Sequence, residues 1–383
     1  MSILSGYKVV ELTEVFQGPV AGQVLADYGA EVIKVEKPGI GDIFRNTDVF
    51  GLKNNCLSSH FAAANRNKKS ICIDITTDKG KEVLMALVKD SDVLLHNYRP
   101  GVLDRLGFGY EALAEINPRL IYAGASGYGE TGPLATFGGQ EIVVQALSGY
   151  CATNSGKKAP VIVNTPSIDF GSGMVMVQGI LLALMEREKS GKGQKVTTSL
   201  LGTAAAMQGV EISSLLNSGI AINWFEIGLN FVFETTDGWV LALSFFRDNP
   251  LGLMCKALGV EDLSKKLGIE KANILELAQY KSTVEPTLME ACKKFSTEEA
   301  LARLREQDLL CAPILSVEDA MAQPQMKEIH AMAEAKVTGQ RSLRVVDNPL
   351  SFSRTPRRET TTVALLGEHT EEILARLGLD QNS

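Results

Sequence analysis

The 383-residue sequence predicts an α/β protein, with a large doubly wound, Rossmann-like domain and a smaller α+β domain. Three observations predict it. Short apolar runs alternate with helical stretches from Lys8 to about residue 220. Near Asn223 the pattern changes to two apolar runs around Asp237-Gly238, a strong hairpin signal. A composition that is 45% hydrophobic and 22% charged suits a soluble globular chain and argues against disorder.

KVVEL, from Lys8, is the first strand candidate. After the turn TEVFQG, Pro19 is well placed to open the helix PVAGQVLADYGA, and Gly29 sits where it stops. EVIKVE from Glu31 completes a βαβ unit, which implies parallel strands and a right-handed crossover. SICIDI, SDVLLHN and RLIYAGAS repeat the strand pattern. KGKEVLMALVKD is a helix, and helical pieces lie around GVLDRLGF and YEALAEI. A long apolar helix follows Asp169, then a strand KVTTSLL and a helix through AAAMQGVEISSLL. This first part of the large domain is expected over residues 1–222 and the small domain over 223–319. The hairpin FVFETTDGWVLALSFF opens the small domain, and NPLGLMCKALG, ILELAQYKSTVEPTLMEACKKF and TEEALARLREQD are its helices. The remaining segment, 320–383, has an extended Pro-rich half and a closing helix.

Whole-chain properties exclude several functions. A net charge of -7 and a pI of about 5.4 give no general attraction to nucleic acid or anionic membranes. MSILSGYKVVEL has no leader pattern, and no segment reads as apolar for the roughly 18 residues of a membrane span. A cytoplasmic protein is expected. Six cysteines and four histidines are scattered without metal-ligand spacing, so reduced cysteines and no metal are expected. The fingerprints GxGxxG and GxxxxGK[ST] are absent, which disfavours nicotinamide and ATP sites.

Candidate chemistry gathers at predicted strand ends, where open α/β sheets bind ligands. Phe16-Gln17-Gly18-Pro19 follows the first strand, and by itself reads as an ordinary turn. Lys34 and Lys37 lie at the second. Asn65-Arg66-Asn67-Lys68-Lys69 precedes the third, and Arg99 and Arg105 flank RPGVLDR. Cations so placed could together hold a polyphosphate, although any one of them by itself reads as solvated surface. Ser126-Gly127-Tyr128-Gly129 and Gly138-Gly139-Gln140-Glu141 could offer N–H groups to an oxyanion. Asp169 precedes Gly171, Gly173 and the long helix. Spacing leaves two roles open for it: a helix cap, or an ionised carboxylate nucleophile that the glycines leave open to a thioester.

In order and spacing, VVELTEVFQGPVAGQVLADYGAEVIKVEKPGIGD, NRNKKSICIDI, NYRPGVLDRLGFGYEAL, GYGETGP, SIDFGSGM, GILLALMEREKSGKGQKVTTSLL, TTDGWV, SFSRTP and LGEHTEEILARLGL together resemble the class III CoA-transferases. The resemblance covers almost the full chain. It implies that Asp169 attacks an acyl-CoA thioester to give an aspartyl–acyl anhydride, and that CoA then forms an aspartyl thioester. It implies that Gln17 lies near the carboxylate and that Glu141 helps position it, with Gln140 beside it. It places Asn97, Tyr98 and Arg105 on the CoA site, with Lys37, Arg66 and Lys69 as looser candidates for its phosphates. It further implies an interlocked, ring-like homodimer, a C-terminal segment that returns to the large domain, and CoA as substrate rather than a bound cofactor. The partners are then an acyl-CoA donor and a carboxylic-acid acceptor.

Two departures stand out. Many relatives carry an aromatic–Asp pair at Gln140-Glu141, and the stretch 223–233 is short. The nearest rival, a 2-methylacyl-CoA racemase of the same fold, uses a His-Asp pair at Gln140-Glu141, and Gln cannot serve as that base. A non-catalytic CoA-binding protein would not need the acid at 169.

Overall fold

Six parallel strands form the main sheet: β1 (Lys8–Leu12), β2 (Glu31–Glu36), β3 (Lys69–Cys72), β4 (Val93–His96), β5 (Ile121–Ser126) and β6 (Lys195–Ser199). This is a computed structural model, which describes residues 2–48, 56–155, 159–355 and 361–379. The strand order is β3-β2-β1-β4-β5-β6. It reverses between β1 and β4, so their carboxyl ends flank a switch-point crevice.

The strands read as near-continuous apolar runs because both faces are covered. Alternate side chains face opposite ways. Val10, Ile33 and Leu94 meet the helix Asp78–Lys89 on one face. Val9, Val32, Val93 and Leu95 meet the helices Gln17–Asp27 and Ser167–Ser190 on the other. Pro19 falls inside the first turn of its helix rather than opening it. By length and composition, Ser167–Ser190 is apolar enough to cross a membrane. Its Met176, Val177, Ile180, Ala183 and Leu184 are buried in the core instead.

The tail adds structure that the sequence pattern did not reveal. β10 (Met332–Val337) pairs antiparallel with β11 (Leu343–Val346) and parallel with β12 (Thr361–Val363). This small sheet buries Ala335, Val337 and Val345 with Phe61 and Ala62. The closing helix Thr370–Leu377 inserts Ile373 and Leu374 among the side chains of the helix Asp78–Lys89.

The chain divides into two compact units. The first comprises residues 1–151, 161–208 and 327–383, and the second 152–160 and 209–326. The expected helix through AAAMQGVEISSLL is two helices, Leu200–Met207 and Gly209–Ser218, and residues 209–222 group with the second unit. That unit holds an antiparallel sheet β7-β8-β9, of Phe231–Glu234, Trp239–Leu243 and Leu310–Pro313. The predicted hairpin is its first pair. Asp237 fixes the hairpin turn by accepting the Thr297 N–H at 2.7 Å. Phe231, Phe233, Val240, Met254, Leu288 and Leu304 form the core of this unit.

Candidate active site

The carboxyl ends of β1, β4 and β5 open into a cleft of about 630 Å³ within the first unit. Gln17, Asn97, Tyr98, Gln140, Glu141 and Asp169 all line it, so six of the sequence candidates converge.

Asp169 is only 9% exposed and lies in the first turn of Ser167–Ser190. It is not the cap, because Pro166 holds that position. Glu141 supplies the capping oxygens from a separate helix, Glu141–Leu147. Its Oε2 accepts the Asp169 N–H at 2.6 Å and its Oε1 accepts the Ile168 N–H at 3.2 Å. Gln145, one turn further, donates to Glu141 Oε1 at 2.7 Å. Val144, Ile168, Leu200 and Ala204 pack beneath and hold these helix starts together.

Burial, and then the neighbouring Glu141 charge, push the Asp169 carboxyl up to about 7. This corrects the expectation that the helix start keeps the carboxylate ionised: N–H groups of that turn are given to Glu141. The glycines also have a different use. A Cβ on Gly173 would lie 2.3 Å from Val20 Cγ1 and 2.8 Å from Gln17 O, and one on Gly171 would lie 3.1 Å from Met207 Sδ. Both positions serve close helix packing.

Gln17 Nε2 donates to Ser172 Oγ at 2.8 Å and to Ser126 O at 3.3 Å. It thereby joins the turn after β1, the end of β5 and the helix that carries Asp169. Ser172 was missed in the sequence, although its place three residues after Asp169 is a usable signal. The turn itself is far from ordinary. Val15 has φ +71°, a left-handed conformation that costs a β-branched residue on the order of 1–3 kcal/mol. Across the cleft, Gly127 and Gly139 touch backbone to backbone, since a Cβ on either would lie 2.5 Å from the other's Cα.

The residues expected around CoA fall into two groups. Asn97 exchanges two hydrogen bonds with the Glu14 backbone, at 3.0 and 2.8 Å. Tyr98 lines both the cleft and a neighbouring pocket of about 170 Å³, which Lys37 also lines. Lys37 and Arg105 are exposed. Arg105 does not line the cleft. Arg66 is buried, with its guanidinium on Asp27 at 2.6 Å and on Val346 O at 2.6 Å. Lys69 pairs with Glu31 at 3.2 Å and Glu372 at 2.5 Å. These two cations face carboxylates of their own chain. Among the described residues, no cluster of three His, Cys, Asp or Glu side chains could hold a metal.

Comparison with known proteins decides the family. Residues 4–370 match the model described as CoA-transferase family III. The chain belongs to that family. It is an enzyme of the CoA-transferase class, which acts on CoA thioesters, and the resemblance carried by the motifs is borne out. An acyl-CoA transferase from Fusarium pseudograminearum is 33% identical, covering 98% of this chain and 85% of that one. A formyl-CoA:oxalate CoA-transferase from Escherichia coli is 30% identical, covering 98% and 95%. The crystal structure of a CaiB/BaiF family protein from Brucella suis superposes with a TM-score of 0.87 at 30% identity, over 98% and 99% of the chains. A hypothetical protein from Mycobacterium tuberculosis gives 0.83 at 27% identity, over 98% and 99%. The expected mixed α/β fold, with a large parallel and a small antiparallel sheet, agrees with these structures.

Proposed function

We propose that the enzyme moves CoA from an acyl-CoA thioester to a free carboxylic acid, with Asp169 as the nucleophile. One observation carries the reading. Asp169 is a nearly buried carboxyl that lines the cleft, and among the described residues no cation pairs with it. A carboxylate held this way is basic and poorly solvated, which favours attack on a carbonyl carbon.

Asp169 attacks the acyl carbonyl and CoA thiolate leaves, giving the anhydride. The thiolate attacks the aspartyl carbonyl, forms an aspartyl–CoA thioester and releases the first acid. The acceptor carboxylate attacks that thioester, and CoA then takes the new acyl group, leaving Asp169 free. Glu141 fixes the backbone under Asp169, and Gln17 fixes the facing turn. Asn97 and Tyr98 lead from the cleft toward Lys37, the path we assign to CoA, with Arg105 further out. Arg66 and Lys69 act in our reading through their ion pairs, by holding the edge of the sheet. The homodimer implied by the resemblance is part of the proposal, and a solution mass of twice 41.3 kDa checks it.

The chemistry makes an isotopic prediction. The oxygen that bridges the second anhydride comes from the acceptor and stays on Asp169. A single turnover with ¹⁸O-labelled acceptor acid therefore leaves one ¹⁸O in the Asp169 peptide. Transfer without that label overturns the covalent route. Formyl-CoA with oxalate, the pair named for the Escherichia coli relative, is the first pair to assay.

One observation favours a second reading. A carboxyl poised near 7 beside another acid can carry a proton, as an α-proton isomerase requires. Incubation with a chiral 2-methylacyl-CoA in D₂O separates the two: transfer chemistry incorporates no α-deuterium, and isomerisation does.

A further inference from the structure

Beneath the cleft lies a second group of buried charges, outside the chemistry above. Glu11 on β1, Lys34 on β2, Asp42 and Lys68 are each at most 4% exposed. Lys34 Nζ lies 3.2 Å from Glu11 and 2.9 Å from Asp42. Lys68 Nζ lies 2.8 Å from Glu11 Oε2. Ion pairs this deep are poor sources of net stability, since desolvation offsets much of their attraction. Asp42 Oδ1 also accepts the Phe44 N–H at 3.0 Å, and Lys68 Nζ also donates to Asn65 Oδ1 at 2.8 Å, but three further hydrogen bonds of the group reach one segment. Lys34 Nζ donates to Thr13 O at 2.6 Å. Asp42 Oδ1 accepts the Val15 N–H at 3.1 Å. Lys68 Nζ donates to Pro19 O at 2.8 Å.

Residues 13–19 are thus gripped at both ends and in the middle by the charged group. Between the grips stand Val15, in its left-handed conformation, and Phe16 and Gln17, which line the cleft. A left-handed valine persists only where its surroundings over-determine it, and the Asp42 hydrogen bond is the direct restraint on its amide. Neighbouring glycines admit the group. A Cβ on Gly22 would lie 1.8 Å from Glu11 Oε2, and one on Gly18 would lie 2.5 Å from Thr13 Cγ2.

We infer that Asp42, with Lys34 and Lys68 behind it, is a positioning residue: it holds the 13–19 turn in the strained form that puts Gln17 against Ser172 and sets the wall opposite Asp169. The inference rests on the transferase reading for its consequence in turnover, and on geometry alone for its consequence in the turn.

Asp42→Ala removes the acceptor for the Val15 amide, and Asp42→Asn keeps it. The expected result for Asp42→Ala is a kcat at least tenfold lower, with KM for acyl-CoA within threefold. Asp42→Asn restores kcat to within threefold of the parent enzyme. Amide hydrogen exchange in residues 13–19 becomes at least tenfold faster in Asp42→Ala, while β1 keeps its protection. Val15→Gly tests the same idea in a chain that loses its strained residue and no buried charge, so it folds even if Asp42→Ala does not. It should keep or raise Tm and still lower kcat several-fold. Unchanged exchange in 13–19, or a folded Asp42→Ala or Val15→Gly enzyme with full kcat, would overturn the inference. No turnover by the parent enzyme with any donor overturns the transferase reading instead, and the exchange experiment then decides the turn by itself.

Discussion

Two buried acids within the same unit meet opposite fates. Glu36, at the end of β2, has Arg45 on both oxygens at 2.7 Å, with Ser70 donating a further hydrogen bond at 2.6 Å. Burial alone would raise its pKa, but the Arg45 hydrogen bonds and charge, then Lys34 and Ser70, bring it below the usual glutamate range. Asp169 is buried as well, but its neighbour is Glu141, and its carboxyl is pushed up to about 7. Burial by itself therefore does not mark a reactive carboxylate. The partner decides whether the push from burial survives: Arg45 more than offsets it at Glu36, whereas at Asp169 burial stands uncompensated and the Glu141 charge adds to it.

Four substitutions probe that contrast, from the largest expected effect to the smallest. Asp169→Asn should lower kcat by at least about a thousandfold if the carboxylate forms covalent bonds. Its stability should move the other way. A folded pKa raised above the unfolded value gives stability that is full below pH about 4 and lost as pH rises through about 7. Asn escapes that loss, so chemical denaturation at pH 8 should show the variant more stable by on the order of 2 kcal/mol, with the difference vanishing near pH 4. Arg45→Met should do the reverse. It strands Glu36 and costs about 3–5 kcal/mol in the same assay. The lowered Glu36 pKa adds stability that is present at neutral pH and lost on acidification through its folded value.

Glu141→Gln sharpens the comparison at the site itself. It retains an acceptor for the helix N–H groups and removes the charge. The pH profile of kcat/KM in the parent enzyme should rise through about 7 as Asp169 ionises. In the variant that inflection should fall by about one unit. Gly173→Ala is the mildest of the four. Its methyl meets Val20 and Gln17 O, and crowding of this kind costs about 1–3 kcal/mol, read as a lower Tm with a modest fall in kcat.

Much of the fold was legible because it is periodic. All six strands of the main sheet and the helix Gln17–Asp27 follow from the alternation of short strand-like runs with helical stretches and turn residues, and the Asp237-Gly238 signal located the hairpin. β10 and β11 escaped because they lie in a polar stretch whose burial depends on Phe61 and Ala62, far away in sequence. The site was legible as a set of residues rather than as a geometry. Asp169 could be singled out, but Glu141 becomes its cap only through contacts 28 residues apart. Arg66 looked like a surface cation because Asp27 lies 39 positions away, and Lys69 because Glu372 lies 303 away. The glycines after Asp169 read as room for a thioester, because the walls they pack against, Val20 and Met207, lie on other helices.

The central claim is that Asp169 is the nucleophile in a covalent transfer. The most direct test incubates the enzyme with an acyl-CoA, traps with hydroxylamine or borohydride, and maps the modified residue by mass spectrometry. The account predicts a modification on Asp169 that requires acyl-CoA and is absent from Asp169→Asn. An acyl-CoA that the enzyme turns over while Asp169 stays unmodified would contradict it.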